Sequence, residues 1–230
     1  MAGNGRRFAE QGYANPKPFI EVDGKPMIKR VVESLLLFEH EHVFVGRAEH
    51  FAQYNMDKIF PHLERFRTVP IYYTTSGAAV TIDHCHTLFG ADEDILIVNS
   101  DQLFHYNNHE VEEVRRSGID GCIWCFKGTG PNWSYAKLDD DGYVVEVAEK
   151  KQISEYATGG MYYWKSFYSF RQALARMIAA DDRTNNEFYV APVYNHMLKE
   201  EKVIIKMLDD IDQLGTPEEL KAYENKIRLY

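Results

Sequence analysis

The apolar positions alternate between helical and extended spacing along the chain. Lys25 to Phe38 carries Met27, Ile28, Val31, Val32, Leu35 and Leu36 at helical intervals, with Asp23-Gly24 and Pro26 at its head, and predicts the first full helix. His42 to Val45 predicts a short strand, Phe51 to Phe66 a helix interrupted by Pro61, and Pro70 to Thr75 a β-rich run. After the break at Ser76-Gly77, Ala78 to Phe89 reads as a helix. Asp94 to Val98 is a continuous apolar run, the pattern of a strand buried on both faces at the centre of a parallel sheet. A helix over Asn108 to Ser117 precedes strands at Gly121 to Phe126, Tyr135 to Leu138 and Val144 to Glu149, the last two joined by the turn Asp139 to Gly142. Ala157 to Trp164 is a further strand, Phe167 to Ala180 and Val190 to Glu200 are helices, and Val203 to Leu208 is a strand. Pro217 to Lys226 is a terminal helix capped by Thr216. This order predicts an α/β domain with a mixed sheet and an inserted or appended β-region.

Composition narrows the picture. A length of 230 residues with 45% hydrophobic content fits one domain with a sizeable core. A net charge of -9 argues against nucleic acid as a partner, because phosphate backbones are held by clustered cations. Against that average, Arg6, Arg7, Lys17, Lys25, Lys29 and Arg30 crowd the first thirty positions, which suits a small polyanion. Three cysteines make no disulfide framework, no run approaches eighteen apolar residues, and no leader pattern is present. A cytoplasmic protein without a membrane span is therefore the expectation. Cys122-x-x-Cys125 lies in a strand pattern with no second pair, and His84-Cys85-His86 in a helical one, so neither reads as a metal site.

The candidate chemistry begins at Gly3-x-Gly5-x-Arg7. Such a loop leaves backbone N-H groups free to face phosphate oxygens and ends on a cation. Lys17, held between Pro16 and Pro18 in what reads as an extended segment, can be aimed at the same phosphates with little entropy left to lose. Asp101 follows the buried strand at its carboxyl end, where open α/β sheets place ligands. Taken alone, the glycines also fit an ordinary turn, Pro16-Lys17-Pro18 a stiff solvated loop, and Asp101 a cap.

Met1 to Phe8, then Asn15-Pro16-Lys17-Pro18-Phe19-Ile20, then Val22-Asp23-Gly24-Lys25-Pro26-Met27-Ile28 together resemble the N-terminal signature of the sugar-phosphate nucleotidyltransferases. Later motifs follow in the same order: Ser76-Gly77-Ala78, Val98-Asn99-Ser100-Asp101, Glu149-Lys150, Gly159-Gly160-Met161-Tyr162, and Asp212 ahead of Gly215-Thr216-Pro217. The resemblance implies a three-layer, Rossmann-like (GT-A-type) α/β domain over residues 1-230, with a mixed central sheet and a small β-rich acceptor-binding region. The nucleotide-binding half would cover about 1-120 and the acceptor-binding half about 121-230.

The implied reaction transfers NMP from an NTP to a sugar 1-phosphate or related phosphomonoester with release of pyrophosphate, in the making of surface polysaccharide precursors. Its nucleophile is already an anion, so positioning and charge neutralisation do most of the work. By resemblance, Ala2, Gly3 and Gly5 would cradle the nucleotide, Arg7 would grip the leaving phosphates, Lys17 would neutralise the α-phosphate, and Gly77 would sit against the base. Asp101 and Asp212 would share Mg²⁺. Lys150 would hold the acceptor phosphate, Glu149 its hydroxyls, and Gly159 would allow its close approach. For Asn186 and Glu187 a sugar-hydroxyl role stands beside helix capping. The base, the acceptor and the oligomeric state stay open.

Relatives carry an apolar strand of roughly five residues before the loop. Here Met1 sits directly on it, so the expectation is a natural product that starts upstream, or a truncation with weak or absent activity. Two other readings remain: a GT-A glycosyltransferase using a nucleotide sugar, disfavoured by the single carboxylate in Asn99-Ser100-Asp101, and an inactive nucleotide-binding domain.

Overall fold

The computed structural model describes residues 1, 3, 5-37 and 39-228. Its strands are β1 (Glu21–Val22), β2 (Lys25–Pro26), β3 (His42–Arg47), β4 (Phe66–Ile71), β5 (Ile95–Val98), β6 (Gln102–His105), β7 (Gly121–Lys127), β8 (Ser134–Leu138), β9 (Val144–Glu149), β10 (Tyr156–Trp164), β11 (Val203–Met207) and β12 (Asp210–Gln213). Contacts divide the chain into two compact units. The first holds Met1–Thr74, Asn99–Asn108 and Asp210–Tyr230, and the second Thr75–Val98 and His109–Asp209.

In the first unit β1 pairs with β2 and β6 with β12, both antiparallel, while β3 and β4 run parallel from His42 opposite Phe66 to Arg47 opposite Ile71. The helix Met27–Leu35 buries Met27, Ile28, Val31, Val32 and Leu35, the stripe expected from the sequence, and ends at Leu36 in a left-handed turn. Ile28 and Val32 pack with Phe19, Phe44, Met56, Phe60 and Leu63 into one apolar cluster. Burial of side chains this size, each stabilising by roughly 1.5–3 kcal/mol, is what fixes the preceding glycine and proline segment on this unit. The last helix, Pro217–Ile227, opens on a full capping box, with Glu219 N-H donating to Thr216 Oγ1 at 3.2 Å and Thr216 N-H to Glu219 Oε2 at 2.8 Å.

The second unit is built on one mixed sheet in the order β11-β7-β10-β8-β9, with β5 also on β10. Only β11 and β7 are parallel. The central strand is β10, whose continuous burial from Ala157 to Trp164 explains its long apolar run. Gly159 and Gly160 form a bulge that shifts its register against β7 between Thr158 and Met161. Trp164 stacks on Tyr194 at 4.1 Å, and the Tyr194 hydroxyl, fully buried, donates to the Tyr163 carbonyl at 2.7 Å. The helix Phe167–Ala179 covers this core with Phe170, Leu174 and Met177.

Several expectations need correction. The apolar strand β5 is not the centre of a parallel sheet: among the described residues it pairs antiparallel with β10, Ile95 opposite Trp164. Ile95 and Ile97 are buried while Leu96 and Val98 are half-buried, so the apolar run overstates the burial of one face and carries no information on strand direction. Phe51 to Phe66 is two short helices, Ala48–Gln53 and Met56–Ile59, with Asn55 capping the second, followed by β4. Ala78 to Phe89 is helical only to Asp83, and Val190 to Glu200 only to Val193 before a 3-10 turn. The helix Arg6–Glu10 and the β6–β12 ribbon were not expected at all. Cys122 and Cys125 are buried, unpaired residues of β7, as the strand pattern implied. No helix among the described residues is long and apolar enough to cross a membrane.

Gly77, at the start of the helix Ala78–Asp83, has φ of 139° and meets the backbone of Phe188. A Cβ there would lie 2.4 Å from both the nitrogen and the oxygen of Phe188, whose N-H donates to the Ser76 carbonyl at 2.8 Å. Neither backbone can retreat without losing that bond. Gly77→Ala is expected to destabilise the protein by about 2 kcal/mol or more and lower its unfolding midpoint by roughly 4 °C or more. A thermal melt indistinguishable from the parent would refute this packing account.

Candidate functional site

The first unit gathers most of the expected phosphate-binding residues. Lys17 begins a 3-10 turn, Lys17–Phe19, rather than an extended segment. Pro16 enters it with φ of -57°, and Phe19 N-H closes the turn on the Pro16 carbonyl at 2.8 Å. Phe19 is stacked on Tyr54 at 3.9 Å and meets His50 edge-on, so the backbone on which Lys17 stands is anchored in the core. The proline ring and the buried Phe19 thus supply the stiffness inferred from sequence through a different backbone geometry.

From that anchor Lys17 Nζ donates to Asp101 Oδ2 at 2.5 Å and to the Gly215 carbonyl at 2.9 Å. Only 22% of the Lys17 side chain and 28% of the Asp101 side chain is exposed. Asp101 is held by its own carbonyl, which accepts from Leu214 N-H at 2.9 Å. Gly215 stands so close that a Cβ would lie 3.5 Å from Asp101 Oδ2 and 3.7 Å from Lys17 Nζ. Three sequence-distant segments therefore converge on one ion pair. Gly5, in the left-handed region at φ of 57°, starts the helix Arg6–Glu10 and packs on Lys17, where a Cβ would come within 3.3 Å of the lysine's own.

Gly3, Gly5, Asn15 and Lys17 line a cavity of about 320 Å³ that also takes in Arg47 and His50. Arg47 ends β3 and pairs with Glu49 at 2.6 Å. His50 is 6% exposed, its Nδ1 has no partner among the described residues, and burial lowers its pKa. These two residues were missed from sequence, although polar residues just past the carboxyl end of a parallel strand were a usable signal. Arg7 is exposed on the helix Arg6–Glu10. Ala2 lies outside the described residues.

Asp212 has different partners from Asp101. On β12 it accepts from Lys226 Nζ at 2.6 Å and faces His105 Nε2 at 2.9 Å. His105, Asp210 and Asp212 each bring a potential ligand atom within 4.8 Å of the others, a grouping able to hold a cation, and Asp101 is not a member. Lys226 already neutralises both aspartates, which hold its pKa well above the usual lysine value. The two carboxylates expected to share one ion are thus engaged separately.

The second unit carries the expected acceptor residues. Glu149 ends β9, half-buried and hydrogen-bonded by Ser134 Oγ. Lys150 Nζ donates to the Tyr189 hydroxyl at 2.7 Å. Glu187 lies in a tight turn with Thr184, each N-H donating to the other's carbonyl at 3.0–3.1 Å. Glu187 also adds to the negative field felt by Glu149. Gly159 is in the buried bulge of β10, and Gly77 lies against the backbone of Phe188.

A family model for nucleotidyl transferases matches residues 1–227. The chain belongs to the nucleotidyl transferase family. Among curated members, it is 28% identical over 166 residues to the UTP–glucose-1-phosphate uridylyltransferase AglF of Haloferax volcanii, covering 66% of this chain and 63% of that one. The chain therefore spans less than two thirds of that relative. It is 26% identical over 237 residues to a 2-aminoethylphosphonate cytidylyltransferase of Lancefieldella rimae, covering 97% and 89%. Among nucleotidyl transferase structures, the nucleoside-diphosphate-sugar pyrophosphorylase of Vibrio cholerae superposes with a TM-score of 0.85 over 98% of both chains at 24% identity, which shows the shared Rossmann-like fold with its mixed sheet.

Burial pushes the pKa of Glu149 above its ordinary 4.5, while the Ser134 hydrogen bond and Lys150 pull it down. The folded protein therefore keeps this proton to higher pH than the unfolded chain does. Stability falls as pH rises from about 4.5 through the raised value, and the loss persists above it. Glu149→Gln removes the titrating group, so denaturant midpoints measured against pH should decline less over that window than in the parent. Parallel curves would show that the carboxyl is not buried as described.

Proposed function

We propose that the protein transfers NMP from an NTP to a sugar 1-phosphate or related phosphomonoester, releasing pyrophosphate. The observation that carries this reading is Lys17 Nζ, held at 2.5 Å from the Asp101 carboxylate beside the glycine turn. A cation and a carboxylate that accompany free backbone N-H groups can divide the charge of a metal-bound triphosphate between them. Family membership supports the reaction class.

In this mechanism the loop at Gly3 and Gly5 binds the triphosphate, and Arg7 holds the β- and γ-phosphates that leave. Lys17 gives up Asp101 for the α-phosphate and neutralises charge as the pentacovalent state forms. Its turn is already rigid, so little ordering accompanies the change of partner. The acceptor phosphate is an anion at neutral pH, and no residue has to remove a proton. Lys150 binds that phosphate, with Glu149 and Glu187 as acceptors for its hydroxyl or amine hydrogens.

Asp101 suits Mg²⁺: it is a hard oxygen donor with part of its side chain exposed, and this ion keeps several waters and adds phosphate oxygens to one or two carboxylates. When bound, the ion would supply charge neutralisation on the triphosphate. Asp212 would first have to lose Lys226. The base and the acceptor stay open, since AglF and the cytidylyltransferase are named for different pairs.

The test is to incubate the protein and Mg²⁺ with each NTP and a panel of sugar 1-phosphates and other phosphomonoesters, and to measure pyrophosphate. Release confined to a matched pair supports the reading. Nucleoside diphosphate released from a nucleotide sugar, or nucleotide binding without turnover, contradicts it. Lys17→Ala and Asp101→Ala should each lower turnover by about two orders of magnitude or more, and near-normal rates in both would remove these residues from the mechanism.

A further inference from the structure

Lys150 has a backbone φ of 56°, a left-handed conformation that an L side chain adopts only where its surroundings impose it. Here its N-H donates to the Trp133 carbonyl at 2.9 Å, which pins the turn after β9. The side chain is exposed, yet it does not trail into solvent. Its ammonium donates to the Tyr189 hydroxyl at 2.7 Å and stands 4.7 Å from the centre of the Tyr189 ring. Burial raises the pKa of that hydroxyl, the bond from Lys150 lowers it, and the negative charge of Glu187 raises it.

Tyr189 is itself well fixed. It precedes the buried helix Val190–Val193, and its neighbour Phe188 is 2% exposed and bonded through its N-H to Ser76 and through its carbonyl to Ala79 N-H at 3.1 Å. One aromatic residue thus holds the ammonium of Lys150, a residue expected at the acceptor. A free lysine loses several rotatable bonds when it grips a ligand, and a lysine held beforehand loses fewer.

We propose that Tyr189 is a positioning residue for the acceptor, its ring and hydroxyl holding the Lys150 ammonium ready for a phosphomonoester. This rests on the transfer reaction proposed above. A surface pair that merely stabilises the fold would leave the acceptor kinetics unchanged.

Tyr189→Phe keeps the ring and removes the hydroxyl. With the matched pair found in the pyrophosphate assay, the acceptor KM should rise about tenfold, while the NTP KM stays the same and kcat stays within about twofold. Lys150→Met should raise the acceptor KM further, and adding Tyr189→Phe to it should have no additional effect, since the two act through one contact. An unchanged acceptor KM in Tyr189→Phe, or the same tenfold rise in the Lys150→Met background, would overturn the proposal. If the parent turns over no pair, the transfer reading fails. Tyr189 is then judged by the rate of reductive methylation at Lys150, read by mass spectrometry: several-fold faster labelling in Tyr189→Phe supports the hold on the ammonium, and equal rates refute it.

Discussion

The contact between Lys17 and Asp101 is the constraint around which the first unit is organised. Removing one partner of a fully buried ion pair costs about 3–5 kcal/mol, because the other charge is left in a poor solvent. With about a quarter of each side chain exposed, this pair is held less tightly, and the lysine retains a second acceptor in the Gly215 carbonyl. Such a pair is a weak device for stability and a good one for exchange, since a phosphate oxygen can replace the carboxylate on the lysine without leaving a charge stranded. The rigid turn at Pro16 and Phe19, the segment after β5 and the entry to the capped helix at Pro217 all fix the positions of those few atoms.

The chemistry divides along the same lines as the packing. The groups suited to a triphosphate belong to the unit built around Phe19, Ile28 and Phe44. Those suited to an acceptor belong to the unit whose sheet is centred on β10. In the second unit Tyr189, on a well-packed base, holds the Lys150 ammonium, so that side chain is ordered before any ligand arrives.

Much of the fold was legible wherever one local rule dominated. The helix Phe167–Ala179 follows from apolar spacing, the terminal helix from Thr216, Pro217 and Glu219, and the β8–β9 hairpin from the turn Asp139 to Gly142. What the sequence could not show was pairing. β5 reads as buried, but its antiparallel partner is set by β10 far along the chain. The ribbon of β6 and β12 pairs Gln102 with Gln213 across two four-residue strands, too short for a periodicity to mark it. At the site, Gly5, Lys17 and Asp101 were recognisable by type and order. Arg47, His50 and Tyr189 carry no motif, because their relevance arises from the cavity and contacts that folding creates. Gly77 also lies against the backbone of Phe188, a contact that adjacency in sequence could not reveal.

The most direct measurement is a crystal structure of the protein with Mg²⁺ and an NTP analogue whose α,β-bridge cannot be cleaved. The account predicts the triphosphate against Gly3 and Gly5, Lys17 Nζ moved from Asp101 to an α-phosphate oxygen, and Asp101 facing the metal. A triphosphate bound elsewhere, with Lys17 still paired to Asp101, would contradict it.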